Sequence, residues 1–373
     1  METLAKLQVL GEGAKYDICS STSGPQGSGV CQSFTPDGRC ISLLRVLMSN
    51  NCERDCAYCP NRVQRDVPRT TFAPEELARL FMDFYRRNYV SGLFLSSGID
   101  DNADKTMDKM LATAELLRSQ HGFTGYIHLK LIPGCSAGHI QEAVRLAQRV
   151  SINCETPDQE SLARLSRAKS WEDITGAMEM VRTLTAADRG RQSTQFIVGA
   201  AQETDLAILK RALDCYRRYN MLRVYFSAFV PVPDTPLAVL DRTSLVREQR
   251  LYQSDFLLRQ YGFRVEELPF VDGQLPLDQD PKLAWARANP GFFPLEVNRA
   301  TRKELLRVPG IGPVSAGRII KVRRQGTIAN LNELKNIGVV TSRAAPYLLI
   351  RGKLAMPNRA QFNFQQLSLF GGD

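Results

Sequence analysis

Between residues 40 and 268 the spacing of apolar positions switches back and forth between two periods. Short runs with strand character lie at 40–48, 92–97, 125–132, 150–155, 193–199 and 222–230. Stretches with helical spacing separate them, at 74–88, 104–120, 137–149, 157–167, 172–189, 203–219 and 243–261. The stretches 157–167 and 172–189 follow one another and read as a double crossover. Strand then helix, six times over, predicts an α/β fold in which parallel strands with helices outside close or nearly close into a barrel.

Parallel strands buried on both faces normally read as continuous Val, Ile and Leu. Here one face is polar. Tyr126, His128 and Lys130 alternate with Ile127, Leu129 and Leu131, and Ser151, Asn153 and Glu155 alternate with Ile152 and Cys154. Arg223, Tyr225 and Ser227 alternate with Val224, Phe226 and Ala228. Helices cover the apolar face, so the polar one points inward, and a row of such groups is costly to bury without partners. The interior is therefore expected to be a ligand cavity, with His128, Lys130 and Tyr225 as candidate catalytic groups.

The first strand run leads into Cys52, Cys56 and Cys59, a C-x3-C-x2-C loop with Tyr58 before the last thiol. Iron–sulfur clusters and structural zinc usually take four ligands, so three thiolates with no fourth nearby leave one coordination position open. By residue type alone the triplet suits a cluster or a zinc knuckle. In spacing and in the placement of Tyr58 it resembles the radical SAM enzymes. That resemblance implies a partial (β/α)6 TIM-like barrel, a [4Fe-4S] cluster on Cys52, Cys56 and Cys59, and S-adenosylmethionine on the fourth iron, cleaved by one electron to a 5'-deoxyadenosyl radical.

The same resemblance assigns further contacts to S-adenosylmethionine. Ser96, Ser97 and Gly98 stand where many of these enzymes carry Gly-Gly-Glu, with serines replacing glycines and the acid missing. Asn153 and Glu155 fall where polar groups meet the ribose and methionyl moiety, and Ser227 on the sixth run joins them. Gly199 matches a glycine-containing adenine contact, and Tyr58 would offer its backbone to the adenine.

Charge separates the chain into two parts. Residues 291–360 hold 13 Lys and Arg against three acids, which accounts for the net charge of +9 on an otherwise balanced chain. A neutral body with a basic appendage points to a polyanion partner. Within it, two helical patterns flank Pro309-Gly310-Ile311-Gly312-Pro313, which resembles the helix-hairpin-helix family; a degraded second copy covers 331–349. This implies a small all-α C-terminal domain that meets DNA phosphates at Gly310, Ile311 and Gly312, with Arg318, Lys321, Arg323 and Arg324 adding counter-charge. The domain boundaries follow as a loop-rich extension 1–39, barrel 40–268, linker 269–294, hairpin domain 295–353 and tail 354–373. In that tail Gln366, Leu367, Ser368, Leu369 and Phe370 match the short peptide by which bacterial DNA-processing proteins dock to the replication sliding clamp.

Other classes lack their signatures. Three histidines, His121, His128 and His139, are too few for a histidine-built zinc hydrolase, and no Gly-x-Ser-x-Gly, His-Glu-x-x-His or phosphate-cradling Gly-Lys-Thr occurs. Nine cysteines in a chain with no long apolar run argue for reduced thiols and a cytoplasmic location with no membrane span. Cys19, Cys31 and Cys40 are too widely spaced to read plainly as a second cluster. The expectation is a radical SAM enzyme acting on a nucleotide in DNA, supplied with electrons by a flavodoxin or ferredoxin. RNA or tRNA as substrate, and a non-catalytic iron–sulfur redox sensor on DNA, are the alternatives.

Overall fold

The computed structural model describes residues 2–14, 29–34 and 40–355. They form two compact units, Met1–Leu251 and Tyr252–Asp373.

In the first unit the chain runs through α1 (Thr3–Ala14), β1 (Val30–Phe34), β2 (Cys40–Leu47), α2 (Pro74–Arg86), β3 (Gly92–Ser96) and α3 (Ala103–Ser119). It continues through β4 (Tyr126–Lys130), α4 (Ala137–Leu146), β5 (Arg149–Ser151), α5 (Gln159–Leu165), α6 (Trp171–Leu184) and β6 (Gln192–Val198). Then come α7 (Asp205–Arg218) and β7 (Val224–Ala228); α8 (Leu245–Gln260) begins in this unit and continues past its last residue. The strands pair strictly in sequence order, β1 to β7, and every pair from β2 onward is parallel. This is the expected six-stranded α/β partial barrel. One element is added: β1 pairs antiparallel with β2 from within a stretch whose glycines and serines gave no strand signal.

Helix starts follow local chemistry. Asn102, Asp158, Ser170 and Thr204 accept from backbone N–H groups in the first turns of α3, α5, α6 and α7, and Pro74 opens α2 ahead of Glu75 and Glu76. The outward side chains of the strands, among them Leu44, Val46, Leu93, Leu95, Ile127 and Leu129, are fully buried under these helices. Polar residues of the same strands are left to face inward.

The second unit contains α9 (Pro281–Ala288), β8 (Leu295–Glu296), α10 (Arg302–Leu305), α11 (Pro313–Arg323), α12 (Leu331–Asn336), α13 (Thr341–Ala344), β9 (Leu348–Ile350) and β10 (Lys353–Leu354). The two helical patterns around Pro309-Gly310-Ile311-Gly312 are α10 and α11. Thr301 and Glu304 cap α10 reciprocally, and Pro313 opens α11. The second copy is α12 and α13, joined to the first by a hydrogen bond from Val340 N–H to Gly310 C=O, 3.0 Å. Leu305, Val308, Ile311, Ile319, Leu334 and Leu348 form their shared core. Two features were not visible in the pattern. Short β8, β9 and β10 make a small sheet, and α9 folds within 269–294 with Trp285 buried.

A buried lysine gives this unit a distinctive pH response. Lys282 donates to the Ile311 carbonyl, 2.5 Å, and lies against the Tyr261 ring. Burial, helped by the positive charge of Arg343, pulls its pKa down to about 7. Between that value and the usual lysine range the unfolded chain carries a proton that the folded one lacks, so stability rises with pH across this window. At about 1.4 kcal/mol per pKa unit the gain across the whole window is on the order of 5 kcal/mol. Urea midpoints from pH 6.5 to 9.5 are expected to climb, and Lys282→Met should flatten the climb; an unchanged slope in the variant would refute the assignment.

Candidate active site

The cysteine loop leaves β2 as irregular backbone, so its carbonyls need partners. Arg69 supplies them: its guanidinium donates to the carbonyls of Asn50, Asn61, Arg62 and Arg65 at 2.5–2.8 Å. Glu53 N–H donates to Ile99 C=O, 2.9 Å, and Ala57 N–H to Leu165 C=O, 2.7 Å, which fastens the loop to the ends of β3 and α5. Neither Arg69 nor its role could be read from periodicity, because it sits in a loop of no regular pattern.

This loop forms one wall of a cavity of about 710 Å³, a size typical of small-molecule sites. Cys52, Cys56 and Cys59 all line it. Backbone N–H groups of Ile99 and Asn61 point at the sulfurs of Cys52 and Cys59, each at 3.4 Å. Burial, then the charge of Cys56, pushes the Cys59 thiol up to about 12. A free thiol there stays protonated, whereas iron deprotonates a coordinating thiol outright. Soft sulfur donors with N–H groups aimed at them therefore suit an iron–sulfur cluster. Among the described residues no three His, Cys, Asp or Glu side chains close around a single ion, whereas in a cubane each thiolate binds a different iron.

Gly98 packs directly against the start of the loop, its N–H donating to the Ser49 carbonyl at 2.7 Å. A Cβ there would lie 2.9 Å from Cys52 Cβ and 3.2 Å from the Ser49 carbonyl. Gly98→Ala is thus expected to displace Cys52 while leaving the barrel folded, lowering iron bound per chain several-fold under reconstitution. Wild-type iron content in that variant would contradict the close fit.

Ser96, Ser97, Asn153, Glu155, Lys130 and Ser227 line the same cavity. Glu155 adopts a left-handed backbone, φ 64°, a conformation unusual for a side chain of its size. Its backbone still bridges β6, and its buried carboxylate meets Lys169 at 2.6 Å. Lys169 also donates to the Tyr58 hydroxyl, 2.9 Å. Burial opposes the Lys169 ammonium, but the charges of Glu155 and Cys56 outweigh it and its pKa is raised. Burial and the Glu155 charge hold the Tyr58 phenol well above its usual range. Lys169 was missed in sequence because it lies between α5 and α6, where only proximity in the fold connects it to Glu155.

Other candidates are placed elsewhere. Gly199, φ 92°, does not line the cavity; a Cβ there would strike Thr243 Oγ1 at 2.1 Å, so it serves packing. His128 and Tyr225 line a smaller space deeper among the strands. Burial, with the charges of Arg149 and Lys130, holds the His128 pKa well below the usual value. Cys31 lines both spaces, Cys40 is exposed, and Cys19 lies outside the described residues. The eight described cysteines are all free thiols.

In the second unit Gly310, φ 85°, is confined by the Val340 carbonyl, 2.5 Å from where a Cβ would stand. Ile311 is buried in the core, and its N–H and C=O are taken by Val308 and Lys282. Gly312 N–H bonds Ser315 Oγ, 2.8 Å. Arg318 and Lys321 on α11 and Arg324 just after it are exposed, with Arg318 also donating to the Ile337 carbonyl at 3.3 Å. Arg323 departs from the expected outward set: it folds back to the carbonyls of Val297 and Ala300, at 3.2 and 2.5 Å. Gln366, Leu367, Ser368, Leu369 and Phe370 lie outside the described residues. No helix among the described residues is long and apolar enough to cross a membrane.

Comparison with known proteins accords with both units. Residues 46–213 match the radical SAM superfamily, and residues 294–345 match the helix-hairpin-helix motif. The chain therefore contains a radical SAM domain, whose superfamily uses a [4Fe-4S] cluster and S-adenosylmethionine, followed by a helix-hairpin-helix motif. No curated protein matches it. Among solved structures it is similar to HydG, a maturase of the [FeFe]-hydrogenase, with 12% identity and a TM-score of 0.48 over 57% of this chain and 48% of that one. It is similar to methylornithine synthase PylB, with 16% identity and a TM-score of 0.48 over 57% of this chain and 60% of that one. A radical SAM methyltransferase from Sphaerobacter thermophilus gives 14% identity and a TM-score of 0.47 over 64% and 73%. The chain thus spans about half to three fifths of the first two.

Proposed function

We propose that this chain is an oxygen-sensitive radical SAM enzyme acting on a nucleotide in DNA. The observation that carries the reading is the presence, in one chain, of a thiol-walled cavity inside a polar barrel and a helix-hairpin-helix motif. Cys52, Cys56 and Cys59 would hold the [4Fe-4S] cluster. When bound, the cluster and S-adenosylmethionine supply a 5'-deoxyadenosyl radical that takes hydrogen from the substrate. Tyr58, Ser96, Ser97, Gly98, Asn153, Glu155 and Ser227 would hold S-adenosylmethionine, with the Lys169 ion pair keeping the Glu155 carboxylate in place.

The hairpin contributes recruitment. N–H groups at the start of α11, which have no intrahelical acceptor, and the exposed Arg318, Lys321 and Arg324 would contact backbone phosphates without reading sequence. A base or sugar inside a duplex is reached only after local unstacking, or at a damaged site. A flavodoxin or ferredoxin would supply the electron, and Gln366, Leu367, Ser368, Leu369 and Phe370 would dock to the sliding clamp.

Perdeuterated duplex DNA and perdeuterated tRNA, incubated separately under anaerobic turnover, test the substrate. Deuterium is expected in 5'-deoxyadenosine from the DNA reaction alone. Deuterium from tRNA alone would move the assignment to RNA.

A further inference from the structure

The polar interior continues beyond the cysteine cavity into a second space of about 70 Å³. Arg45, Lys130, Asn153 and Gln195 line both. Strand register places Arg45 opposite Phe94, Phe94 opposite His128, and His128 opposite Arg149. Two arginines thus end one lateral row that crosses four strands.

Both are buried, Arg45 at 7% exposure and Arg149 at 6%. The Nε of each is enclosed without a hydrogen-bond partner among the described residues. Among the described residues, no acid lines the small space. Of the acids lining the larger cavity, Glu155 is committed to Lys169, Glu248 accepts from Ala228 N–H at 2.7 Å, and Glu12 is exposed. His128 adds no negative charge; its Nε2 lies 2.9 Å from Ser151 Oγ. Buried guanidinium groups without counter-charge are costly, and the fork of an arginine fits a phosphate or carboxylate in two-point contact.

We propose that Arg45 and Arg149 form an oxyanion subsite that takes a terminal phosphate of the substrate. Size favours a phosphomonoester over a backbone diester. At about 70 Å³ beside a cavity of about 710 Å³, the small space suits a terminal group, with the rest of the substrate in the larger one. The remainder of the substrate would then extend into the larger cavity, toward the thiols. The inference rests on the barrel being the reaction chamber, and it narrows the nucleotide to one with a terminal phosphate, at a strand end or free.

Equilibrium dialysis with radiolabelled inorganic phosphate tests it on the full-length, cluster-loaded protein. To remove the hairpin's contribution, the reference protein carries Arg318→Gln, Lys321→Gln and Arg324→Gln. One saturable phosphate per chain is expected to remain, weakened at least ~10-fold by Arg45→Gln or Arg149→Gln. Arg45→Lys and Arg149→Lys keep the charge where the glutamine variants do not fold, and each is expected to weaken binding several-fold because an ammonium lacks the fork. No saturable phosphate in the reference protein, or affinity unchanged in the variants that fold, overturns the subsite. Formation of 5'-deoxyadenosine by the wild-type protein separates the two readings: with it, only the subsite falls; without it, the radical reading falls as well.

Discussion

Serine in place of any one of Cys52, Cys56 or Cys59 is expected to leave the purified protein with little iron and to lower 5'-deoxyadenosine formation more than ~100-fold. Losing only an outer hydrogen-bond partner of a metal ligand typically costs ~10–100-fold, and here a direct ligand is removed. Among the described residues no other cysteine belongs to this loop. Cys31 lines the cavity from another strand, Cys40 is exposed, and Cys154 and Cys215 are buried. The fold should survive, since the loop is fastened by Arg69 and by backbone bonds to Ile99 and Leu165 that do not involve sulfur. Iron and sulfide analysis alongside circular dichroism checks both halves. A serine variant with full iron and unaltered turnover would remove that cysteine from the ligand set.

Neutralising Arg318, Lys321 and Arg324 together should have the largest effect on nucleic-acid affinity. Each lost phosphate contact lowers the slope of log affinity against log salt by about 0.9, so the triple glutamine protein should lose nearly three units of slope. The two proteins converge near molar salt, and at ~0.1 M the gap is then on the order of 100-fold or more. Arg323→Gln is the internal comparison. Its side chain bonds the Val297 and Ala300 carbonyls, so its loss should lower the melting temperature of the second unit and leave the slope unchanged. Fluorescence anisotropy on one duplex across a salt series measures all of these. Equal slopes in wild-type and triple variant would remove this face of α11 from the interface.

Much of the architecture was legible because two periods carried it. The alternation of apolar and polar residues at 126–131, 151–155 and 223–228 announced a lined interior, and Lys130, Asn153, Glu155 and Ser227 do face the main cavity, although β5 itself ends at Ser151. The hairpin was legible for a different reason: Gly310 needs a left-handed turn against the Val340 carbonyl, which leaves a fixed mark in sequence. What escaped were contacts between loops. Arg69 and Lys169 belong to no periodic element, and their partners are 4–19 and 14–111 residues away in the chain. Arg323 shows the complementary failure. Its charge counted toward a basic face, but composition does not record which way a guanidinium turns. Gly199 reads as a cofactor glycine by position, and in the structure it packs against Thr243.

The account depends most on an iron with a free position inside the barrel. Protein reconstituted with iron and sulfide, reduced with dithionite and given S-adenosylmethionine without air, should release 5'-deoxyadenosine and methionine in equal amounts. Protein that holds about four irons per chain and yields neither product would contradict it.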